Sequence, residues 1–120
     1  EVPGETMTRR SSEDLTAKQY RAVALDSVSE LVTPGAGAVT LGVLQNAPDD
    51  GQYGTVMVTG ITKMVAGAAI TLPARVTTDN AGRAVTATTG DFVVGTALMA
   101  ASGAGIVISV QLSVQYKAQA

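Results

Sequence analysis

The feature that most constrains the fold is the stretch of residues 67–98, in which β-branched residues surround tight turns. Residues 75–78 (RVTT) and 83–88 (RAVTAT) have the composition of two strands, and residues 79–82 (DNAG) have the composition of a turn between them. Gly82 can adopt the positive φ that a short hairpin loop requires. Another turn and another apolar run complete the stretch. It therefore predicts antiparallel β-structure with short connections.

Strand candidates separated by turns that contain glycine or proline recur along the whole chain. The candidates outside the hairpin are residues 19–27, 28–32, 39–44, 55–61, 92–98 and 106–116. No segment has a convincing helical period, although residues 98–101 have the composition of a single helical turn. The sequence therefore predicts an all-β protein, a small antiparallel β-barrel or β-sandwich with tight Gly-rich turns.

A weak internal repeat relates the two parts of the chain. Residues 42–47 (GVLQNA), a loop and then TVMV match residues 95–100 (GTALMA), a loop and then IVIS. Gly42 and Gly95, the first residues of the two matches, are 53 positions apart. The repeat predicts two similar β-halves. Chance similarity is the alternative, because glycine, alanine and valine are common throughout the chain.

Residues 1–18 differ in composition from the rest of the chain. Seven of the 18 charged residues fall there, and the apolar residues are few and lack a period. We expect an arm, residues 1–18, beside a β-domain at 19–116 and a short tail at 117–120. The arm is either a disordered terminus or a segment that becomes ordered on a partner surface. In both cases, the β-domain is expected to fold without residues 1–15. The candidate contact residues of the arm are Arg9, Arg10, Glu13, Asp14 and Lys18.

The residue types present argue against a chemical site. The chain has no histidine and no cysteine, so the usual general base and the commonest metal ligands are missing. Asp79 and Asp91 are better explained as residues that accept hydrogen bonds from their own turns than as an acid and base pair. We therefore predict no enzyme activity, no catalytic residues, no metal site and no cofactor. The net charge of −2 and the scattered basic residues predict no nucleic-acid partner, and the apolar runs are too short to predict a membrane partner.

The order of motifs over residues 19–112 resembles a known family. A GAAI entry at residues 67–70 precedes the D-x-x-G-R-A hairpin at 79–84, which is followed by VVGTAL at 93–98 and the closing strand IVISVQL at 106–112. This order is similar to that of the small capsid cement, or decoration, proteins of tailed bacteriophages. The resemblance implies a structural virion protein, made in the host cytoplasm, that binds the outer surface of an assembled capsid. It also implies that the protein stabilises contacts between subunits of the major capsid protein.

The same chain is expected to associate with copies of itself. Residues 31–120 contain few charged residues and more apolar surface than one small domain needs, so a homo-oligomer is expected, most simply the trimer that the resemblance implies. The alternative function is a non-catalytic ligand-binding β-module of the carbohydrate-binding or adhesin type. Such sites commonly use aromatic side chains, and the chain offers three tyrosines, Tyr20, Tyr53 and Tyr116.

Overall fold

The computed structural model describes the backbone of residues 5–117 and the side chains of residues 5–112, and this part of the chain consists of strands, turns and loops without a helix. The ten strands are β1 (Thr6–Arg10), β2 (Ala22–Leu25), β3 (Leu31–Val32), β4 (Gly42–Leu44), β5 (Tyr53–Met57), β6 (Gly60–Val65), β7 (Arg75–Thr78), β8 (Ala84–Thr86), β9 (Phe92–Ala97) and β10 (Val107–Lys117). The candidate strand at residues 55–61 is broken, because Gly60 has a φ of 100° and begins a separate strand. Residues 98–101 form a bend instead of the expected helical turn.

The strands form two antiparallel sheets of five strands each. The first sheet has the order β1-β5-β4-β2-β3 and the second has the order β6-β10-β9-β7-β8. If β6 to β10 are renumbered from one, the two orders are the same. We call residues 5–59 the N-terminal half and residues 60–117 the C-terminal half. The prediction of an all-β sandwich with two similar halves is confirmed.

Equivalent hydrogen bonds show that residues 21–44 match residues 74–97 one by one, whereas Thr55 corresponds to Ser109 and not to Ile106 as the sequence repeat predicts. The Leu44 N–H donates to the Arg21 carbonyl at 2.9 Å, and 53 positions later the Ala97 N–H donates to the Ala74 carbonyl at 3.0 Å. The repeated glycines have a steric reason as well. A Cβ on Gly42 would lie 2.3 Å from the Met57 carbonyl oxygen, and a Cβ on Gly95 would lie 2.2 Å from that of Gln111. Both strands thus approach a neighbouring backbone so closely that only glycine fits.

Residues 5–18 pair with and pack on the first sheet, where the sequence predicts an arm beside the domain. Strand β1 pairs with β5 from Thr6↔Met57 to Arg10↔Tyr53, as β6 pairs with β10 in the other half. The Leu15 N–H donates to the Pro48 carbonyl at 3.0 Å, and the Leu15 side chain is fully buried. Its counterpart in the C-terminal half is Ile70, whose N–H donates to the Ala101 carbonyl at 2.9 Å. Residues 5–18 therefore complete the first sheet and its core.

The core consists of two clusters of buried apolar residues. The larger cluster joins the halves, because Ala22, Val43 and Met57 pack among residues of the second sheet such as Met64 and Val94. The smaller cluster lies in the N-terminal half and consists of Leu15, Val23, Leu31, Leu44 and Val56, with Leu41 and Val58 packed against it. Leu15 thus belongs to a five-residue core that the expected division at residue 18 would have cut.

Replacement of Leu15 by alanine tests this placement of the N-terminal segment. Leu15→Ala should lower the free energy of unfolding by about 2–5 kcal/mol, because it removes buried methyl groups and leaves a cavity. Leu72→Ala is the matched control, since Leu72 is 42% exposed and its loss should cost less than about 1 kcal/mol. Urea unfolding of both variants provides the comparison. Equal stability of Leu15→Ala and the parent would show that residues 5–18 are not part of the folded core.

Candidate interaction surfaces

The basic candidates of the N-terminal segment lie on or near the edge strand β1. Arg10 is exposed and its Nε lies 3.7 Å from the Glu30 carboxylate. Arg9 is half-buried, and its Nη1 donates to the Thr8 carbonyl at 3.3 Å. Lys18 is also half-buried, and its backbone N–H donates to the Leu15 carbonyl at 3.0 Å. Arg10 is therefore the most accessible of the three cations.

The acidic candidates of the segment stabilise its own path. The Glu13 carboxylate accepts a hydrogen bond from the Thr33 N–H, which ties the segment to the end of β3. The Asp14 carboxylate accepts bonds from the Thr16 hydroxyl at 2.7 Å and the Thr16 N–H at 3.0 Å. The hydroxyl bond and then the backbone bond lower the pKa of Asp14 below its ordinary value. The structure therefore gives both acids a structural role.

The hairpin at residues 79–82 has the predicted form. The Asp79 Oδ1 accepts from the Ala81 N–H at 2.9 Å and the Arg83 N–H at 2.8 Å, and Gly82 has a φ of 79°. The Arg83 Nε donates to the second carboxylate oxygen of Asp79 at 3.0 Å. Gly82 is buried against the N-terminal half, where its carbonyl accepts from the Ala22 N–H at 2.7 Å, while Asn80 stays exposed. The Gly82 side of this hairpin therefore joins the halves.

The same hairpin recurs as residues 26–30 (DSVSE), which had been predicted only as a weak strand. The Asp26 Oδ1 accepts from the Val28 and Glu30 N–H groups, each at 3.0 Å. The backbone bond from Glu30 lowers the pKa of Asp26 most, while partial desolvation opposes that shift. Ser29 stands where Gly82 stands in the second hairpin, with a φ of 64°. The tip of this first hairpin is exposed.

An exposed apolar surface lies in the connection between β9 and β10. Met99 is 48% exposed, Val107 is 46% exposed and Ile106 is exposed to a similar degree. We call these three residues the β9–β10 loop surface. Between Asp91 and Lys117 the sequence contains no charged residue, so the charge nearest to Val107 in its sheet comes from the paired strand, where Lys63 is opposite Ser109. The β9–β10 loop surface therefore has the character of a protein contact surface.

The N-terminal half provides an internal comparison for this loop. The Leu98 N–H donates to the Ser109 carbonyl at 2.9 Å, as the Gln45 N–H donates to the Thr55 carbonyl at 2.7 Å. This correspondence aligns Met99 with Asn46, Ile106 with Gln52 and Val107 with Tyr53. Two of the three positions are polar in the N-terminal half. The loop of the C-terminal half is one residue longer than its counterpart, and only in that half are all three positions apolar.

A second apolar surface lies on the first hairpin and beside it. Leu25, Val28 and Val39 are exposed, and Val28 at the tip is 69% exposed. Leu25 and Val39, together with Thr40 and Leu41, line a groove of about 260 Å³. We call Leu25, Val28, Val39 and Leu41 the hairpin surface.

The described residues contain no cluster of three or more acidic side chains that could hold a metal ion. They also contain no helix that is long and apolar enough to cross a membrane. The Asp91 carboxylate accepts from the Thr88 N–H at 3.0 Å and the Thr88 hydroxyl at 2.9 Å, as a residue that closes its own turn.

Comparison with known proteins places this β-sandwich in a family. The family model described as phage cement protein matches residues 3–112. The chain belongs to the phage cement protein family. The predicted family membership is thereby confirmed, and with it the coarse function of a capsid-associated structural protein of a bacteriophage. The matched range begins within the N-terminal segment, in agreement with the position of β1 and Leu15 in the fold.

A solved structure shows the same fold. The crystal structure of the N base of the head fiber protein gp8.5 of bacteriophage phi29 matches with a TM-score of 0.73 and 22% sequence identity. The match covers 91% of this chain and 93% of that chain. A search of curated protein sequences finds no significant match.

Gly82 is the residue on which the buried hairpin contact depends most directly. Gly82→Ala should lower the melting temperature by several degrees, because a Cβ would lie 2.5 Å from the Ala22 carbonyl oxygen and a non-glycine residue is strained at a φ of 79°. Gly103→Ala is the matched control, since a Cβ there would have no atom within 4 Å. Thermal unfolding followed by circular dichroism measures both. If Gly82→Ala melts with the parent, the hairpin does not depend on this contact.

Proposed function

We propose that the protein binds the outer surface of an assembled phage capsid and stabilises contacts between subunits of the major capsid protein. The match of the cement protein family over residues 3–112 is the observation that carries this proposal. A protein that binds only the assembled shell shifts the equilibrium toward assembly by mass action. The proposed action needs no catalysis and no nucleic-acid partner.

We assign the capsid contact to the β9–β10 loop surface. The side chains of the surface are apolar and exposed, whereas the corresponding loop of the N-terminal half carries Asn46 and Gln52. Exposed apolar side chains that the fold itself does not need are best explained by burial against a partner. Because the chain belongs to the phage cement protein family, we take the major capsid protein as this partner.

The N-terminal segment supplies a second, polar contact in this proposal. Arg10 is exposed on the free edge of β1, and Arg9 and Lys18 are partly accessible. Glu13 and Asp14 act mainly by holding the segment in place. Charged groups at the rim of an interface contribute more to orientation and association rate than to affinity. The segment would therefore orient the protein on the shell while the apolar loop provides most of the binding energy.

We propose that the protein acts on the capsid as a homo-oligomer, most simply a trimer. Two separate apolar surfaces support this part of the proposal, since the β9–β10 loop surface and the hairpin surface involve different elements of different halves. One of them is available for the shell and the other for a second copy of the chain.

Exchange of the loop residues for those of the other half tests the capsid contact. Met99→Asn with Ile106→Gln should reduce the affinity for capsids about tenfold or more, because two apolar side chains lose their burial. The melting temperature should remain that of the parent, because Met99 and Ile106 are exposed and substitutions of exposed residues usually change stability little. A titration of undecorated capsids with purified protein measures the occupancy.

Two further variants separate the possible contacts. Tyr53→Gln changes the exposed counterpart of Val107 and should leave occupancy unchanged. Arg9→Ala with Lys18→Ala should slow association and reduce its dependence on salt concentration, because charged groups at the rim of an interface act mainly on the association rate. If the loop variant binds like the parent while the Arg9 and Lys18 variant does not bind, the N-terminal segment is the main contact. If every variant and the parent fail to bind capsids, the proposed function itself is contradicted.

A further inference from the structure

The junction between the two halves joins two different faces of the repeated unit. The N-terminal half contributes Ala22, whose N–H donates to the Gly82 carbonyl at 2.7 Å, and Gly37, whose N–H donates to the Thr78 carbonyl at 2.9 Å. Nearby, the Gln45 Nε2 donates to the Thr62 Oγ1 at 2.9 Å. We call the face with Ala22, Gly37 and Gln45 the tail face, and the face with Thr62, Thr78 and Gly82 the head face. Each half has a counterpart of both faces, because the halves repeat.

The head face of the N-terminal half is uncovered. Thr78 in the junction is 1% exposed, whereas its counterpart Leu25 is 39% exposed. Gly82 in the junction is buried, whereas its counterpart Ser29 is exposed. The hairpin surface and its groove lie on this uncovered head face. A surface that the chain covers in one half is therefore open and apolar in the other.

The tail face of the C-terminal half is uncovered as well. The counterparts of Ala22, Gly37 and Gln45 are Arg75, Gly90 and Leu98, and all three are exposed. A Cβ placed on Gly37 would lie 2.3 Å from the Asp91 carboxylate, whereas one placed on Gly90 would have no atom within 4 Å. The residues that cover the tail face of the N-terminal half thus have no counterpart over the tail face of the C-terminal half.

The charges of the two uncovered faces are complementary. In the junction, Ala22 meets a hairpin whose Asp79 is neutralised by Arg83, and the neighbouring Arg21 Nη1 donates to the Ala81 carbonyl at 3.4 Å. In the N-terminal half, Glu30 replaces Arg83, so the hairpin carries two carboxylates, with Arg10 beside one of them at 3.7 Å. In the C-terminal half the tail-face cation is one position further along, because Ala74 replaces Arg21 and Arg75 replaces Ala22. A cation on the open tail face therefore corresponds to an acidic hairpin on the open head face.

We propose that the tail face of the C-terminal half of one copy docks on the head face of the N-terminal half of a second copy, repeating between chains the junction within the chain. This inference deepens the homo-oligomer proposed above and rests on it. It places Arg75 of one copy against Ser29 of the next, between Asp26 and Glu30, and Leu98 against β1. The contact is heterologous, so it closes into a ring if the rotation between copies permits. A trimer of this kind would be a ring of six similar halves.

Engineered cysteines test the geometry, since the chain contains none of its own. Ser29→Cys and Arg75→Cys occupy the counterparts of Gly82 and Ala22, whose backbones are in hydrogen-bond contact, within the reach of a disulfide. A mixture of the two single variants should form a disulfide-linked pair under mild oxidation, whereas each variant alone should not. The control mixture of Ser29→Cys with Ser102→Cys should form no such pair, because Ser102 lies in the exposed β9–β10 connection.

Sedimentation of charge variants tests the energetics without cysteine. Leu25→Glu should weaken self-association about a hundredfold or more, because it adds a third carboxylate and buries it without a partner. Val107→Glu should leave self-association unchanged, since it lies on the β9–β10 loop surface. An oligomer that survives Leu25→Glu and forms no disulfide between positions 29 and 75 would overturn the proposed contact and leave the homo-oligomer standing. Isolated single copies in a reconstruction of decorated capsids, with no cross-link between the cysteine variants, would overturn both.

Discussion

Neither five-stranded sheet can bury its apolar face without the other, and this constraint determines the architecture. An isolated sheet of short strands, built from little more than fifty residues with few aromatic side chains, has too little core of its own. The larger core cluster therefore contains Ala22, Val43 and Met57 of the first sheet together with residues of the second sheet. The hairpin tip at Gly82 closes the junction at its margin, where a backbone hydrogen bond replaces a side-chain contact. Because Leu15 belongs to the smaller cluster, within the half that supplies Ala22, Val43 and Met57, removal of residues 5–18 should weaken the support of the larger cluster as well.

The features that the sequence predicts are those whose chemistry is local. Asp79 and Gly82 indicate the second hairpin because its turn needs a carboxylate acceptor and a positive φ, and both are visible in four consecutive residues. Gly42 and Gly95 indicate the repeat because each must lack a side chain against a neighbouring backbone. The first hairpin is harder to recognise, since Ser29 takes the same conformation without being glycine.

Strand β1 illustrates the limits of local patterns. Its sequence TMTRR has one apolar residue, so composition alone suggests a solvated terminus. The repeat could have revealed it, because residues 6–10 align with residues 61–65. However, six residues separate Leu15 from Ala22, whereas four separate Ile70 from Arg75, so the spacing of 53 changes to 55 in this segment. The β9–β10 loop surface and the hairpin surface could not be predicted from the sequence for a related reason. Exposure at Met99 or Leu25 depends on what the rest of the chain leaves uncovered, which no short motif encodes.

The two halves have kept one backbone and changed their surfaces. The loop after β4 is polar and the loop after β9 is apolar; the first hairpin is acidic and the second is neutralised by Arg83. Such divergence gives a small cement protein two separate exposed apolar surfaces, which we propose bind the shell and a sister copy. A cryo-electron microscopy reconstruction of capsids decorated with the protein tests this account most directly. The account predicts density on the outer surface with residues 99–107 against the major capsid protein. Density inside the shell, or an outer molecule with this loop turned toward solvent, would contradict it.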